Sequence, residues 1–365
     1  MSTKKLIENL VLLPLSKLYG AAVGVRNKLF DWGIFLKEHE FSVPVISVGN
    51  LAVGGTGKTP HTEYIVKALM GKYNIGVLSR GYKRNTKGFV PATPMSTPRD
   101  IGDESYQMYN KFGRRVTVAV CEDRVKGIKK MLKQNPNINL IVLDDAFQHR
   151  YVKPKVSILL TEFGHPFFHD RLLPLGRLRE SVKSVHRADI VIATKCPSSL
   201  KALDYSIFAK DVDLIPAQDL FFSRYRYDFP CPIFHDEVEK ENIPRLDRLG
   251  SDSCLLAIAG IGNPKPFVKY IKSFRARVKV NVFSDHHAYT RKDMNLLRDR
   301  FHSMPKGRRF IVTTEKDAVK LLNNPYFPTE LKPYIFFIPI RVEFLNNESH
   351  RFENTLMKFL ANKTL

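Results

Sequence analysis

The fold of this 365-residue chain is decided by the stretch Val53-Gly54-Gly55-Thr56-Gly57-Lys58-Thr59. The stretch follows a short apolar run at 43–48, which predicts a strand, and precedes apolar residues at helical spacing. A glycine-rich loop between a strand and a helix is typical of a P-loop, whose backbone N–H groups surround the phosphates of a nucleotide. Lys58 would reach the β and γ phosphates, and the Thr59 hydroxyl would ligate Mg²⁺. The stretch therefore predicts a nucleoside triphosphate site.

One position departs from the usual P-loop pattern. The pattern GxxxxGK[ST] requires glycine at position 52, where this chain has Ala52. Gly54 and Gly55 supply backbone freedom shortly after that position. A chance Gly-Lys-Thr tripeptide is the alternative, and the preceding strand argues against it. We therefore predict that residues 52–59 form the phosphate loop.

Outward from this loop, short apolar runs alternate with helical segments, which predicts a P-loop NTPase-like, doubly wound, mostly parallel α/β sheet. Around 214–249 four prolines and an aromatic-basic segment interrupt the rhythm, and a second, smaller α/β domain follows. The predicted divisions are an N-terminal amphipathic segment (1–36), a P-loop domain (37–213), an interdomain connection (214–249), the second α/β domain (250–345) and a C-terminal helix (346–365).

The N-terminal segment has an apolar stripe at helical spacing. Its members are Leu15, Leu18, Tyr19, Ala22, Val25 and Leu29. No uncharged run here approaches the roughly 20 residues that span a bilayer. A stripe beside cations is typical of a helix at a membrane interface. A helix packed on its own domain explains the same spacing equally well.

The chain carries 58 Lys plus Arg against 36 Asp plus Glu, a net charge of +22. Such a surplus favours an anionic partner, and nucleic acid, anionic lipid and phosphorylated substrates all qualify. A basic surface that serves only solubility is the alternative. The four cysteines form no CxxC pair, which favours a reducing compartment over a disulfide framework.

Acidic residues at two places are candidates for metal binding and proton transfer. Asp144 and Asp145 end the apolar run at 138–143, where carboxylates beside the P-loop strand would hold Mg²⁺. Asp103, next to Glu104, is a candidate base, because a sugar hydroxyl needs a proton acceptor at neutral pH. An exposed helix cap would also explain Asp103. His286 could orient or share a proton with a carboxylate, and a surface loop is the alternative.

Three arginines are candidates for gripping phosphate: Arg80, Arg124 and Arg179. Each could also be a solvated surface residue. Two competing functions would also use parts of this pattern. A P-loop GTPase or metallochaperone would need an aspartate after Thr194-Lys195, and Pro197 follows Cys196 there. A nucleic-acid-binding protein would need aromatics among cations, and 221–227 is the stretch that fits best.

Taken in order, the motifs resemble the tetraacyldisaccharide 4′-kinases, also called lipid A 4′-kinases. The resemblance rests on VGNL at 48–51, LSRGY at 78–82, GDE at 102–104, DDAFQHR at 144–150, RLLP at 171–174, AIAGIGNP at 257–264, FSDHHAY at 283–289 and TTEKD at 313–317. The family also departs from the P-loop pattern at position 52. Ala146 stands where the family usually has glycine.

The resemblance implies an enzyme that uses ATP and Mg²⁺ to phosphorylate the 4′-hydroxyl of a tetraacylated glucosamine disaccharide 1-phosphate. It also implies a peripheral protein on the cytoplasmic face of a Gram-negative inner membrane. Asp103 paired with His286 would be the base, and Lys58 would act on the phosphates. Thr59, Glu104, Asp144 and Asp145 would lie at the metal, and Arg80, Arg124 and Arg179 near nucleotide or substrate. We expect an anionic membrane surface as partner, no nucleic acid, and a monomer.

Overall fold

The computed structural model describes residues 8–361, so the ends of the predicted N-terminal segment and C-terminal helix lie outside the described part. A π-helical turn at Glu8–Leu12 leads into helix α1, Leu13–Asp31. Among the described residues, no helix is both long enough and apolar enough to cross a bilayer.

Helix α1 rests on the first domain through polar contacts. The Ser16 hydroxyl donates to the Leu172 carbonyl at 2.9 Å, and the Tyr19 hydroxyl donates to the Arg179 carbonyl at 2.9 Å. The Arg26 guanidinium donates to the Gln148 carbonyl at 2.6 Å. These residues are three and seven positions apart, so they lie on one face of the helix. Two residues of the predicted stripe, Tyr19 and Leu29, are half-buried, and its other members are exposed.

Within the described chain, nine strands form the large sheet: β1 (Val45–Asn50), β2 (Ile75–Ser79), β3 (Val90–Pro91), β4 (Thr117–Val120), β5 (Leu140–Asp144), β6 (Val156–Glu162), β7 (Ile190–Thr194), β8 (Asp219–Tyr227) and β14 (Ile340–Phe344). Their order in the sheet is β14-β8-β7-β6-β1-β5-β2-β4-β3. All pairs are parallel except those of the two edge strands, β3 and β14. In the centre, Val48 of β1 pairs with Asp144 of β5, so the P-loop and the acidic pair leave the same edge of the sheet.

The helices of this domain cover both faces of the sheet, as expected for a doubly wound fold. They are α2 (Lys58–Leu69), α3 (Pro98–Ile101), α4 (Asp103–Phe112), α5 (Arg124–Gln134), α6 (Ala202–Val212) and the C-terminal α10 (Ser349–Ala361). Ile65 and Val66 of α2 and Phe352 of α10 belong to one core cluster with the central strands. The C-terminal helix therefore belongs to the first domain.

A second sheet in the described chain consists of β9 (Cys231–Pro232), β10 (Cys254–Ala259), β11 (Arg277–Val282), β12 (Arg309–Thr314) and β13 (Ile335–Ile338). The strand order is β11-β10-β12-β13-β9, and β9 is the antiparallel member. Its helices are α7 (Lys265–Lys272), α8 (Arg291–His302) and α9 (Glu315–Leu322). The alternation of strands and helices predicted for this second α/β unit is present.

The structure differs from the predicted interdomain connection at 214–249. Residues Asp219–Tyr227 form β8, which pairs in parallel with β7 and antiparallel with β14. The prolines that suggested a linker flank this strand and do not interrupt it. The second sheet is therefore inserted between two neighbouring strands of the first. Phe221 and Phe222 are buried in the first domain, so they are not available to stack on nucleic-acid bases.

Candidate functional site

The phosphate loop leaves β1 and enters α2 at Lys58. Gly54 and Gly57 adopt φ values of 117° and 93°, which glycine accommodates without strain. The side-chain amide of Asn50 donates to the Ala52 carbonyl at 2.6 Å, which fixes the start of the loop. The Lys58 ammonium lies 3.5 Å from the Asn50 side-chain oxygen and 3.7 Å from Asp145 Oδ1. The predicted loop 52–59 thus brings its lysine to the acidic pair.

The acidic pair lies at the end of β5. Asp144 is 2% exposed and accepts a hydrogen bond from the Thr62 hydroxyl at 2.9 Å. Burial, followed by the neighbouring carboxylates of Glu104 and Asp145, raises the pKa of Asp144 to about 7. Asp145 is more exposed and has a φ of 49°. The protein therefore concentrates negative charge beside the phosphate loop, which a cation would relieve.

Among the described residues, no group of three or more His, Cys, Asp or Glu side chains could hold a metal ion by itself. A P-loop Mg²⁺ needs fewer protein ligands, because the phosphates and water supply the others. The Thr59 hydroxyl and the carboxylates of Glu104 and Asp144 match the oxygen ligands that Mg²⁺ prefers. These donors and the raised pKa of Asp144 fit a site of this kind.

The three predicted arginines have different environments. Arg124 is buried and donates to the Cys121 carbonyl at 2.9 Å and the Asp144 carbonyl at 3.3 Å, so it holds backbone in place. Burial lowers the pKa of Arg124 to about 10. Arg179 donates to Asp145 Oδ1 at 3.2 Å, and Arg80 is exposed at the end of β2. Arg179 and Arg80 thus remain accessible to a ligand, whereas much of the hydrogen-bonding capacity of Arg124 is used within the protein.

Asp103 and His286 come together across the two domains. Asp103 begins α4 in the first domain, and His286 lies in the loop after β11 with a φ of 59°. His286 Nδ1 is 3.1 Å from Asp103 Oδ2. Both residues line a cleft with Tyr82, Gly102 and Glu104. The cleft therefore joins the candidate base to a candidate metal ligand.

Two lysines that the sequence analysis did not assign complete this cluster. The Lys320 ammonium is 3.5 Å from Asp103 Oδ2, and Lys316 Nζ is 3.1 Å from His286 Nε2. Burial raises the pKa of Asp103, but the hydrogen bond from His286 and the charge of Lys320 outweigh it, so the pKa is lowered overall. The sequence contains part of the information that would have indicated these lysines, because Lys316 belongs to the TTEKD motif and Lys320 follows one helical turn later.

A second ionic contact joins the domains near the P-loop helix. The Lys111 ammonium on α4 lies 2.6 Å from Glu63 on α2 and 2.9 Å from Glu315 at the start of α9. The three helices are thereby connected by one cation. The contact therefore links the second domain to the helix that begins at the phosphate loop.

The fold and this site define the class of P-loop nucleotide-binding phosphotransferases, because the phosphate loop contacts an acidic pair, and a carboxylate–imidazole pair lines a cleft with Glu104, whose charge acts on Asp144. A family model described as Tetraacyldisaccharide-1-P 4'-kinase matches residues 8–361. The chain belongs to the tetraacyldisaccharide 4′-kinase family.

Relatives named tetraacyldisaccharide 4′-kinase support this membership over nearly the whole chain. The chain is 47% identical to one from Bacteroides thetaiotaomicron, covering 97% of this chain and 93% of the relative. A relative from Porphyromonas gingivalis is 39% identical, covering 96% of this chain and 97% of the relative. A crystal structure of the "apo" form LpxK from Aquifex aeolicus in complex with ATP has a TM-score of 0.71 and 29% identity, covering 95% and 98% of the two chains.

These comparisons confirm the predicted family, fold class and lipid A 4′-kinase activity. The roles of individual site residues and the exact domain boundaries stay predictions.

Proposed function

We propose that this chain transfers the γ-phosphate of Mg²⁺-bound ATP to the 4′-hydroxyl of a tetraacylated glucosamine disaccharide 1-phosphate, with Asp103 as proton acceptor. The observation that carries this proposal is the 3.1 Å contact between Asp103 and His286 in a cleft that also holds Glu104. A carboxylate from one domain and an imidazole from the other meet where an acceptor hydroxyl could enter. Such an arrangement suits a kinase that completes its site when the domains close.

In the proposed reaction the 4′-oxygen forms a bond to the γ-phosphorus as the bond to the β–γ bridging oxygen breaks. The hydroxyl proton passes to Asp103, and ADP leaves with the bridging oxygen. Lys58 offsets charge that develops on the transferred group. Bound Mg²⁺ would neutralise charge on the β and γ phosphates, and Thr59, Glu104 and Asp144 are the residues that would hold it.

The lysine beside His286 supports an assignment of its tautomer. An ammonium group has donors only, so the 3.1 Å contact with Lys316 requires His286 Nε2 to accept. Nδ1 then carries the proton and donates to Asp103. His286 in this tautomer orients the carboxylate and stabilises its charge, and Asp103 takes the proton.

The N-terminal helix supports peripheral binding at an anionic membrane. Its docked face is held by polar contacts, while Leu18 and Val25 on another face are 68% and 60% exposed. Exposed apolar side chains at this spacing suit the boundary between headgroups and acyl chains. The net charge of +22 adds electrostatic attraction to anionic lipid. An enzyme with a lipid substrate would thereby stay where the substrate is.

The test is transfer of label from γ-labelled ATP to the disaccharide lipid by the full chain. Lys58→Ala should lower kcat by several orders of magnitude, because it removes the charge that follows the transferred group. Lys67→Ala is the matched control, because Lys67 is an exposed lysine on the same helix. Near-normal turnover by Lys58→Ala, or an equal loss in both variants, would contradict the proposed site.

A further inference from the structure

Two carbonyls of the phosphate loop are held from outside the nucleotide site by side chains that the proposed mechanism does not use. The Thr194 hydroxyl, at the end of β7, donates to the Thr56 carbonyl at 2.8 Å. The imidazole of His61, in the first turn of α2, lies with Nδ1 2.8 Å from the Gly57 carbonyl. Both side chains are buried, at 0% and 1% exposure. Both side chains therefore belong to the packed interior beneath the phosphate loop.

Fixing these carbonyls also fixes two amides. In a planar trans peptide the C=O and the following N–H point in opposite directions. The Thr56 carbonyl shares its peptide plane with the Gly57 N–H, and the Gly57 carbonyl shares its plane with the Lys58 N–H. These are N–H groups with which a P-loop surrounds phosphate. Tethering the carbonyls on one side therefore directs the two N–H groups to the other.

The His61 ring is itself held in one orientation. A carbonyl can only accept, so His61 Nδ1 carries a proton and donates it to the Gly57 carbonyl. On the other side of the ring, Nε2 lies 2.9 Å from the Ser223 hydroxyl, which fixes the ring plane. Ser223 lies on β8, so this strand supports the loop through the imidazole.

The space around Gly57 leaves the loop little alternative. A methyl group at Gly57 would lie 1.8 Å from the Tyr225 hydroxyl, also on β8. Gly57 also has a φ of 93°, which glycine adopts without strain and a larger residue does not. An apolar side chain at position 61 would fill the same space without the cost of burying a polar imidazole. His61 therefore contributes its hydrogen bonds to the loop, and not only its volume.

We propose that His61 and Thr194 are positioning residues for the nucleotide, which hold the Gly57 and Lys58 amides toward the phosphates of ATP. The proposal rests on the proposed function in that ATP is the nucleotide. Neither side chain touches the phosphates, and both act through the loop backbone. Loss of the Thr194 hydroxyl leaves the Thr56 carbonyl unsatisfied, and loss of the His61 imidazole leaves the Gly57 carbonyl with only the helical hydrogen bond from the His61 N–H at 3.2 Å. In both cases the peptide is held less firmly, so the loop must be ordered when the nucleotide binds.

The test compares variants that remove a donor with variants that keep it. His61→Leu and Thr194→Val remove the donors, and we expect each to raise the Kd and KM for ATP about tenfold, the size of one buried hydrogen bond. His61→Asn keeps an N–H near the position of Nδ1, and Thr194→Ser keeps the hydroxyl. Both should stay within about threefold of the parent chain. The KM for the lipid should not change, and kcat at saturating ATP should change less than KM.

Thr313→Val is the matched control for Thr194→Val. Thr313 is equally buried, and its hydroxyl donates to the Ile258 carbonyl at 2.9 Å in the second sheet. This variant loses the same kind of hydrogen bond, so it should lose thermal stability while ATP affinity stays normal. If His61→Leu does not fold, the proposal is tested by comparing Thr194→Val with Thr194→Ser and by measuring His61→Asn.

Two results would overturn the proposal. One is a fall in Tm for His61→Leu and Thr194→Val with ATP affinity within twofold of normal, which would make both residues merely structural. The other is an equal rise in the KM for ATP and for the lipid. Direct binding of ATP with Mg²⁺ to the parent chain separates this failure from that of the proposed function, because a parent chain without affinity for ATP would refute the latter.

Discussion

Replacing Asp103 and His286, singly and together, tests whether the two side chains act as one unit. Asp103→Ala removes the proton acceptor, and we expect kcat to fall about 10²- to 10⁴-fold, the usual size of a general-base contribution. His286→Ala removes one hydrogen bond of 3.1 Å to a carboxylate. A bond of that kind contributes about 1.5–3 kcal/mol, and about 1.4 kcal/mol is a factor of ten. We therefore expect a fall of about 10- to 150-fold for His286→Ala.

The double variant should be at most about threefold worse than Asp103→Ala, because residues that act together are not additive. Asp103→Asn is the matched variant, since it keeps the shape of the side chain and removes its charge. It also leaves a polar partner for the Lys320 ammonium, which lies 3.5 Å from the carboxylate. Asp103→Asn should therefore fold like the parent chain and lose as much kcat as Asp103→Ala.

The assay measures kcat at saturating ATP and lipid in mixed micelles, and the Kd for ATP separately. The Kd should stay within about twofold in all variants, because neither residue belongs to the phosphate loop. Losses that multiply in the double variant would show that the residues act independently. Weaker ATP binding in Asp103→Asn with kcat intact would make Asp103 a nucleotide or metal contact.

Two further predictions concern the membrane and the metal. The double variant Leu18→Glu with Val25→Glu should no longer sediment with anionic vesicles, because charge replaces the exposed apolar side chains of α1. The control is Leu203→Glu with Ile207→Glu, a similarly exposed apolar pair on α6, which should sediment like the parent chain. Equal losses in both double variants would place the membrane contact elsewhere. The pKa of Asp144 is raised to about 7, so this carboxyl is protonated below that pH and ionised above it. Binding of Mg²⁺ near neutral pH should therefore release a proton, and the affinity for Mg²⁺ should weaken as the pH falls through 7. Titration calorimetry in buffers of different ionisation enthalpy measures that proton, and an affinity that does not change between pH 6 and 8 would refute the assignment.

The phosphate loop could be predicted because its structure is local. Strand, glycines, lysine and helix start are contiguous between residues 43 and 70, so spacing alone predicts their geometry. Asp144 and Asp145 could be added because parallel strands end at a common edge of the sheet. The strand at Asp219–Tyr227 was missed, because neighbouring prolines suggested a linker and its partner β14 lies more than 100 residues later.

By itself, the sequence determined the family and the fold class and predicted the phosphate loop, because these follow from contiguous motifs in a fixed order. The family resemblance implied that Asp103 pairs with His286, but only the tertiary structure shows how two residues 183 positions apart meet, which is that α9 packs on α4. Lys320 lies on α9 and reaches Asp103 through the same packing. His61 reaches Ser223 because α2 packs across the sheet as far as β14, the strand that pairs with β8. Such contacts depend on how helices and strands pack, and residue spacing along the chain carries no record of that packing.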